Sequence, residues 1–103
     1  MLNTLIVTLM FPIIAPNMQH SPDSINGALK ASTCTSCHGV TGVSTNKLVP
    51  NLCGQKYEYM VEQISAYKEG ERKNPVMQQL SLATPANDML DILKYFSIQK
   101  ECK

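Results

Sequence analysis

Cys34-Thr35-Ser36-Cys37-His38 places two thiols three positions apart, with an imidazole directly after the second. Thiols at this spacing can form a disulfide, hold half of a metal site, or add across two vinyl groups of a porphyrin. The histidine directly after them points to the third chemistry, because Cys-x-x-Cys-His is the attachment signature of c-type haem. In that arrangement Cys34 and Cys37 form thioethers to the macrocycle, and His38 reaches the iron as its fifth ligand. A thioredoxin-like redox pair needs a βαβ setting that the sequence does not offer. A zinc site needs two more ligands at finger-like spacing. His20 is the one other histidine, and Cys53 and Cys102 lie far apart in the chain.

A segment of this kind must be carried by something able to enclose a haem. The chain has 103 residues, which allows one small domain. Residues 1–20 contain no Lys, Arg, Asp or Glu, and the run from Leu5 to Ala15 is mostly apolar. That run has the length of an export-signal core. It falls short of the roughly 20 apolar residues that span a bilayer, and Pro12 interrupts it. No basic residue precedes the run, and no small-x-small cleavage site stands before Ser21, so an uncleaved anchor and a misassigned start are the competing readings. Residues 21–103 remain as the domain. A domain that small benefits from a staple, and a covalent haem is one. The net charge is +1 with no basic block, which gives nucleic-acid binding no support.

Helices are the elements expected to surround the haem peptide. Ser21-Pro22-Asp23 reads as a cap, a proline in the first turn and an acid at the positive end of the dipole. Ile25, Ala28 and Leu29 then form an apolar stripe on a helix that runs straight into Cys34–His38. Gly27 inside it fits either a tolerated surface position or a close helix crossing. Residues 39–49 carry no period and read as a loop. From Gln55 to Glu69, Tyr57, Met60, Val61, Ile64 and Tyr67 share one helical face, and Gly70 ends it. Glu71 to Pro75 is a polar turn, followed by Val76-Met77 and the short segment 78–83. Thr84-Pro85 opens a last helix to about Gln99, with Met89, Ile92, Leu93 and Phe96 buried. No alternating run is long enough for a strand, so the class is all-α.

From Gly27 to about Gln99 the residues resemble class I c-type cytochromes of the short bacterial periplasmic kind, the c-553 and c-four types. The shared pattern is the haem peptide followed by Gly39, then Val49-Pro50-Asn51-Leu52 and Gly54-Gln55. Tyr59, Gln63, Gly70-x-Arg72, Asn74-Pro75-Val76-Met77 and Tyr95-Phe96 continue it. The resemblance implies a small class I cytochrome c fold, three to five helices wrapped around one covalently attached haem c. It assigns the thioethers to Cys34 and Cys37 and the proximal ligand to His38. Pro50 becomes the residue whose carbonyl holds the ligand imidazole, a bond that fixes tautomer and orientation. Met77 becomes the sixth ligand, laid against the haem from irregular backbone, whereas Met60 and Met89 sit on helical apolar stripes as core. Gly27 becomes the point where the first helix crosses the last, against Tyr95-Phe96.

A histidine–methionine iron favours electron transfer without catalysis, and the resemblance implies a periplasmic carrier that meets respiratory donors and an oxidase or reductase by transient contact. The expected state is a monomer, touching a membrane only through an uncleaved N-terminal segment. The alternatives are a haem enzyme or gas sensor with an open distal site, and the cytochrome subunit of a larger dehydrogenase. Cys53 departs from the family pattern, and Cys102 lies beyond the last helix. In the family's fold their segments pack near each other, so a disulfide is one reading. A buried Cys53 with a free thiol on a frayed end is the other.

Overall fold

The computed structural model describes residues 20–103, so the apolar run between Leu5 and Ala15 lies outside the described residues. Among the described residues there are five helices and no strand: α1 (Ser24–Lys30), α2 (Ser32–His38), α3 (Tyr57–Glu69), α4 (Pro75–Ala83) and α5 (Ala86–Ser97). The all-α expectation stands. None of these helices is long and apolar enough to cross a membrane.

The first helix starts two residues later than Ser21-Pro22 suggests. Asp23 is the cap, its carboxylate accepting from the amides of Ile25 at 2.9 Å and Asn26 at 3.2 Å. The helix also stops short of the haem peptide. Ala31 breaks it, and the Ala31 carbonyl accepts from both Cys34 and Thr35 at 2.8 Å to begin α2. The expected apolar stripe is on the wrong face: Ile25 is 75% exposed, Leu29 is 76% exposed, and Ala28 is exposed as well. The buried positions are Gly27 and Ala31, four apart on the opposite side. Small residues win there because α1 lies backbone to backbone on α5. A Cβ at Gly27 would collide with the Asp91 carbonyl and press on the Ile92 amide. The crossing is therefore at Asp91-Ile92, one turn before the expected Tyr95-Phe96.

The longer helices follow their sequence periods. On α3, Met60, Ile64 and Tyr67 are buried, with Tyr57 and Val61 packed beside them, and Gly70 ends the helix at φ 76°. On α5, Met89, Ile92, Leu93 and Phe96 are buried, and Phe96 has no exposed surface. These residues and Ala31 form one core between the α1–α2 junction, α3 and α5. Residues 71–83 are more regular than expected. Asn74 caps α4 by accepting from the Met77 amide at 3.1 Å, with Pro75 in the first turn. Met77 thus sits in a helix rather than in irregular backbone.

The two remaining cysteines form a disulfide. Cys53 and Cys102 are bridged, with Cα atoms 5.6 Å apart and a sequence separation of 49 residues. The chain-entropy estimate for a loop of that size is about 4 kcal/mol of stabilisation. Gly54 beside the bridge donates to the Phe96 carbonyl at 2.9 Å, so the loop after α2 and the end of α5 are tied twice.

Candidate haem-binding site

Cys34 and Cys37 occupy positions i and i+3 of α2, which puts both thiols on one face of a single turn. Neither joins a disulfide; Cys34 is half-buried against the core and Cys37 is exposed. Burial pushes the Cys34 thiol above its ordinary value and the nearby Cys37 adds to this, while a hydrogen bond with Thr33 opposes it.

His38 closes α2 and is buried to 8% exposure. Its Nδ1 lies 2.8 Å from the Pro50 carbonyl oxygen. A carbonyl can only accept, so Nδ1 carries the ring proton and donates it. The lone pair is then on Nε2, which makes no hydrogen bond among the described residues. An imidazole held this way is a ready metal ligand whose orientation comes from a main-chain group.

Both thiols and His38 line one cavity of about 450 Å³, walled by α2, α3, α4, α5 and the loop through Pro50. Met77 reaches it from the first turn of α4. Met60 and Met89 also reach it, from deeper positions in the core at 4% and 5% exposure. The cavity thus gathers all five residues expected from the sequence, but it does not separate Met77 from the other two methionines by placement alone. Tyr59, Gln63, Tyr67 and Arg72 line it too. Arg72 donates to Gln63 Oε1 at 2.7 Å, and its guanidinium lies 4.8 Å from the Tyr67 ring centre. Among the described residues of the wall it is the only lysine or arginine, and none is acidic.

The competing ligand schemes lose their partners here. Cys53 and Cys102 are joined to each other, and His20 Nε2 donates to the Asp91 carboxylate at 2.5 Å. Among the described residues no group of three or more His, Cys, Asp or Glu side chains is placed to hold a zinc ion.

The sequence is 35% identical to cytochrome c-554(548) of Halomonas halodenitrificans over 81 residues, 76% of this chain and 98% of that protein. The chain belongs to the class I c-type cytochromes. Cytochrome c4 of Pseudomonas aeruginosa is 33% identical over 100 residues, 96% of this chain and 50% of that protein. The chain spans about half the length of the cytochrome c4 relatives it matches. The thiosulfate dehydrogenase electron acceptor of Stutzerimonas stutzeri is 30% identical over 67 residues, 62% of this chain and 31% of that protein. No protein-family model matches the chain.

Haem c is the group of this cytochrome, and the residues present suit it. The wall is mainly aliphatic and aromatic, as an apolar macrocycle requires, with two thiols on one helical face and an imidazole whose free nitrogen carries its lone pair. Arg72 would supply a cation to complement the carboxylates that the macrocycle carries.

Proposed function

We propose that this cytochrome is a periplasmic one-electron carrier, with residues 21–103 as its domain and residues 1–20 as its export segment. Cys34 and Cys37 would hold the haem, and His38 and Met77 would ligate its iron. The observation that carries this reading is the shared cavity. Two thiols from one turn of α2, the Pro50-held imidazole and a thioether from α4 all open onto it. Bound haem c supplies an iron couple that takes up and releases one electron.

The protein residues set how that couple behaves. With His38 and Met77 both bound to it, the iron would have no position left for a substrate, which favours electron transfer over catalysis. A thioether ligand favours the ferrous state relative to a second histidine. Phe96, Ile92 and Leu93 exclude water from the inner wall. Leu48 and Val76, 91% and 64% exposed, stand at the outer wall, where a redox partner can approach. Contact there is brief and small, as for other weak redox encounters. Partners are redox proteins, a respiratory donor and an oxidase or reductase; a dehydrogenase is one candidate donor, since one relative is named an electron acceptor for such an enzyme.

Met77 is favoured over Met60 and Met89 because it is only half-buried and stands on α4, while the other two are enclosed in the core. Protein matured in a host that attaches c-type haem should retain one haem in denaturing acid. Its oxidised form should show the weak far-red band of sulfur-to-iron charge transfer. Met77→Ala should abolish that band. Met60→Ala and Met89→Ala should keep it and cost about 2–5 kcal/mol as core truncations. A band that survives Met77→Ala removes Met77 as ligand, and tight carbon monoxide binding by the native reduced protein supports an open distal site instead.

A further inference from the structure

We infer that the Cys53–Cys102 disulfide is a positioning device for the His38 imidazole, acting through the Pro50 carbonyl. The inference rests on the proposed role of His38 as proximal ligand. The partner of His38 Nδ1 lies 12 residues away, in a loop without regular structure between α2 and α3. The imidazole is therefore only as well oriented as that loop is fixed.

The loop is fixed at two places on either side of Cys53. On the near side, the Leu52 and Cys53 amides both donate to the Gly42 carbonyl, at 2.7 and 3.1 Å. This folds the loop back on its own start, close to His38. On the far side, the loop is joined to α5: Gly54 donates to the Phe96 carbonyl at 2.9 Å, and the Cys53 sulfur is bonded to Cys102. Tyr95 Oη adds a third tie, donating to the Val40 carbonyl at 2.5 Å. Pro50 stands two residues before Leu52 and three before Cys53, so its carbonyl lies just ahead of these anchors, in the loop that is tied at Val40 on one side and at Leu52 to Gly54 on the other.

The bridge is the one covalent anchor of the set, and it grips an exposed stretch outside the helices. Lys100 to Lys103 are exposed and lie beyond the last helix. A disulfide serving only to close a loop could sit anywhere between two elements. This one sits at the residue whose amide is already spent on Gly42, three residues after Pro50, so it holds the end of the loop that carries the Pro50 carbonyl. Freeing it lets Cys53 and Gly54 move away from α5, and the strain falls on the Leu52, Cys53 and Pro50 main chain. A longer or intermittent Nδ1–H···O bond makes the imidazole a weaker donor to the metal, because that bond raises ligand basicity. A weaker donor favours the ferrous state.

The test is made on the haem-loaded protein carrying Cys53→Ser and Cys102→Ser together. The His38 Nδ1 proton and the Leu52 amide should exchange with solvent at least tenfold faster than in the native protein, as read by NMR. The reduction potential should rise at fixed pH, with the far-red band retained. Val61→Ala, a neutral truncation beside the core that does not line the cavity, should lower the melting temperature and leave exchange and potential unchanged. If the double variant does not fold, the bridge can be opened in the folded native protein. Dithiothreitol gives two electrons and two protons to the disulfide, forming its own cyclic disulfide and two protein thiols, which iodoacetamide then caps; the thioethers are not reduced. Native exchange and native potential in the bridge-free protein, with only a lower melting temperature, would overturn the inference. Failure of the proposed function is distinguishable, because the native protein itself would then lack retained haem or a histidine-ligated spectrum.

Discussion

At the crossing of α1 and α5, main chain lies on main chain with no room for a methyl group. At the wall formed by α2, α3, α4 and α5, side chains stop short of one another and leave about 450 Å³. The crossing is complete by itself. Its polar groups are matched too: the buried Asp91 carboxylate accepts from His20 at 2.5 Å and from the Asp23 amide and Asn26 at 2.7 Å each. The wall is complete only with haem. An apolar cavity of this size costs the stability of every contact its lining lacks. The crossing therefore reports the strength of the helix pair, and the wall reports the presence of the cofactor.

Breaking the wall should have the largest effect. Cys34→Ala with Cys37→Ala should remove covalent attachment, and so small a core should not hold a single native fold without it. Far-ultraviolet circular dichroism should show loss of most helical signal, and a native-like spectrum with no bound haem would show that the wall stands unaided.

Breaking the crossing should have a smaller effect and leave the wall's chemistry alone. Gly27→Val forces α1 away from Asp91 and Ile92, an overpacking cost of about 1–3 kcal/mol or more. Denaturant unfolding of the haem-loaded protein measures it, and an unchanged midpoint would mean that α1 can shift at no cost.

The smallest effect should come from the charge at the crossing. Burial by itself raises the Asp91 carboxyl, but the Asp23 amide, Asn26 and His20 outweigh it and hold it below the usual carboxylate value. A group lowered in the folded state contributes stability above its unfolded value, about 3.9, and loses it as pH falls through the folded value. Asp91→Asn should cost about 1–3 kcal/mol at neutral pH. It should also flatten the decline in stability below about pH 4. A variant with the native acid profile would place that decline on other carboxylates.

Much of this architecture was legible from residue order. The haem peptide, α3 and α5 were readable because each carries its own evidence, a fixed spacing or an apolar period that matches what is buried. The first helix misled. Apolarity singled out Ile25 and Leu29, while the packing selects the smallest side chains, Gly27 and Ala31, since a close crossing rewards absence of volume. The helix carrying Met77 was missed although its signal was present. Asn74-Pro75 is the same cap-and-proline signature that marked the other starts, and in the structure the Asn74 side chain does cap the helix. The Cys53–Cys102 pairing stayed open for a different reason. It depends on where two distant segments come to rest, which no local pattern encodes.

The acceptor that orients His38 belongs to the peptide backbone, so no substitution at position 50 can delete it. Replacing proline changes only the stiffness of the chain that carries the oxygen, through its locked φ. A side-chain scan of the cavity would therefore pass over the partner that touches the imidazole directly. Nature and engineers alike can retune that hydrogen bond only by remote control, through the residues that decide where the carbonyl points.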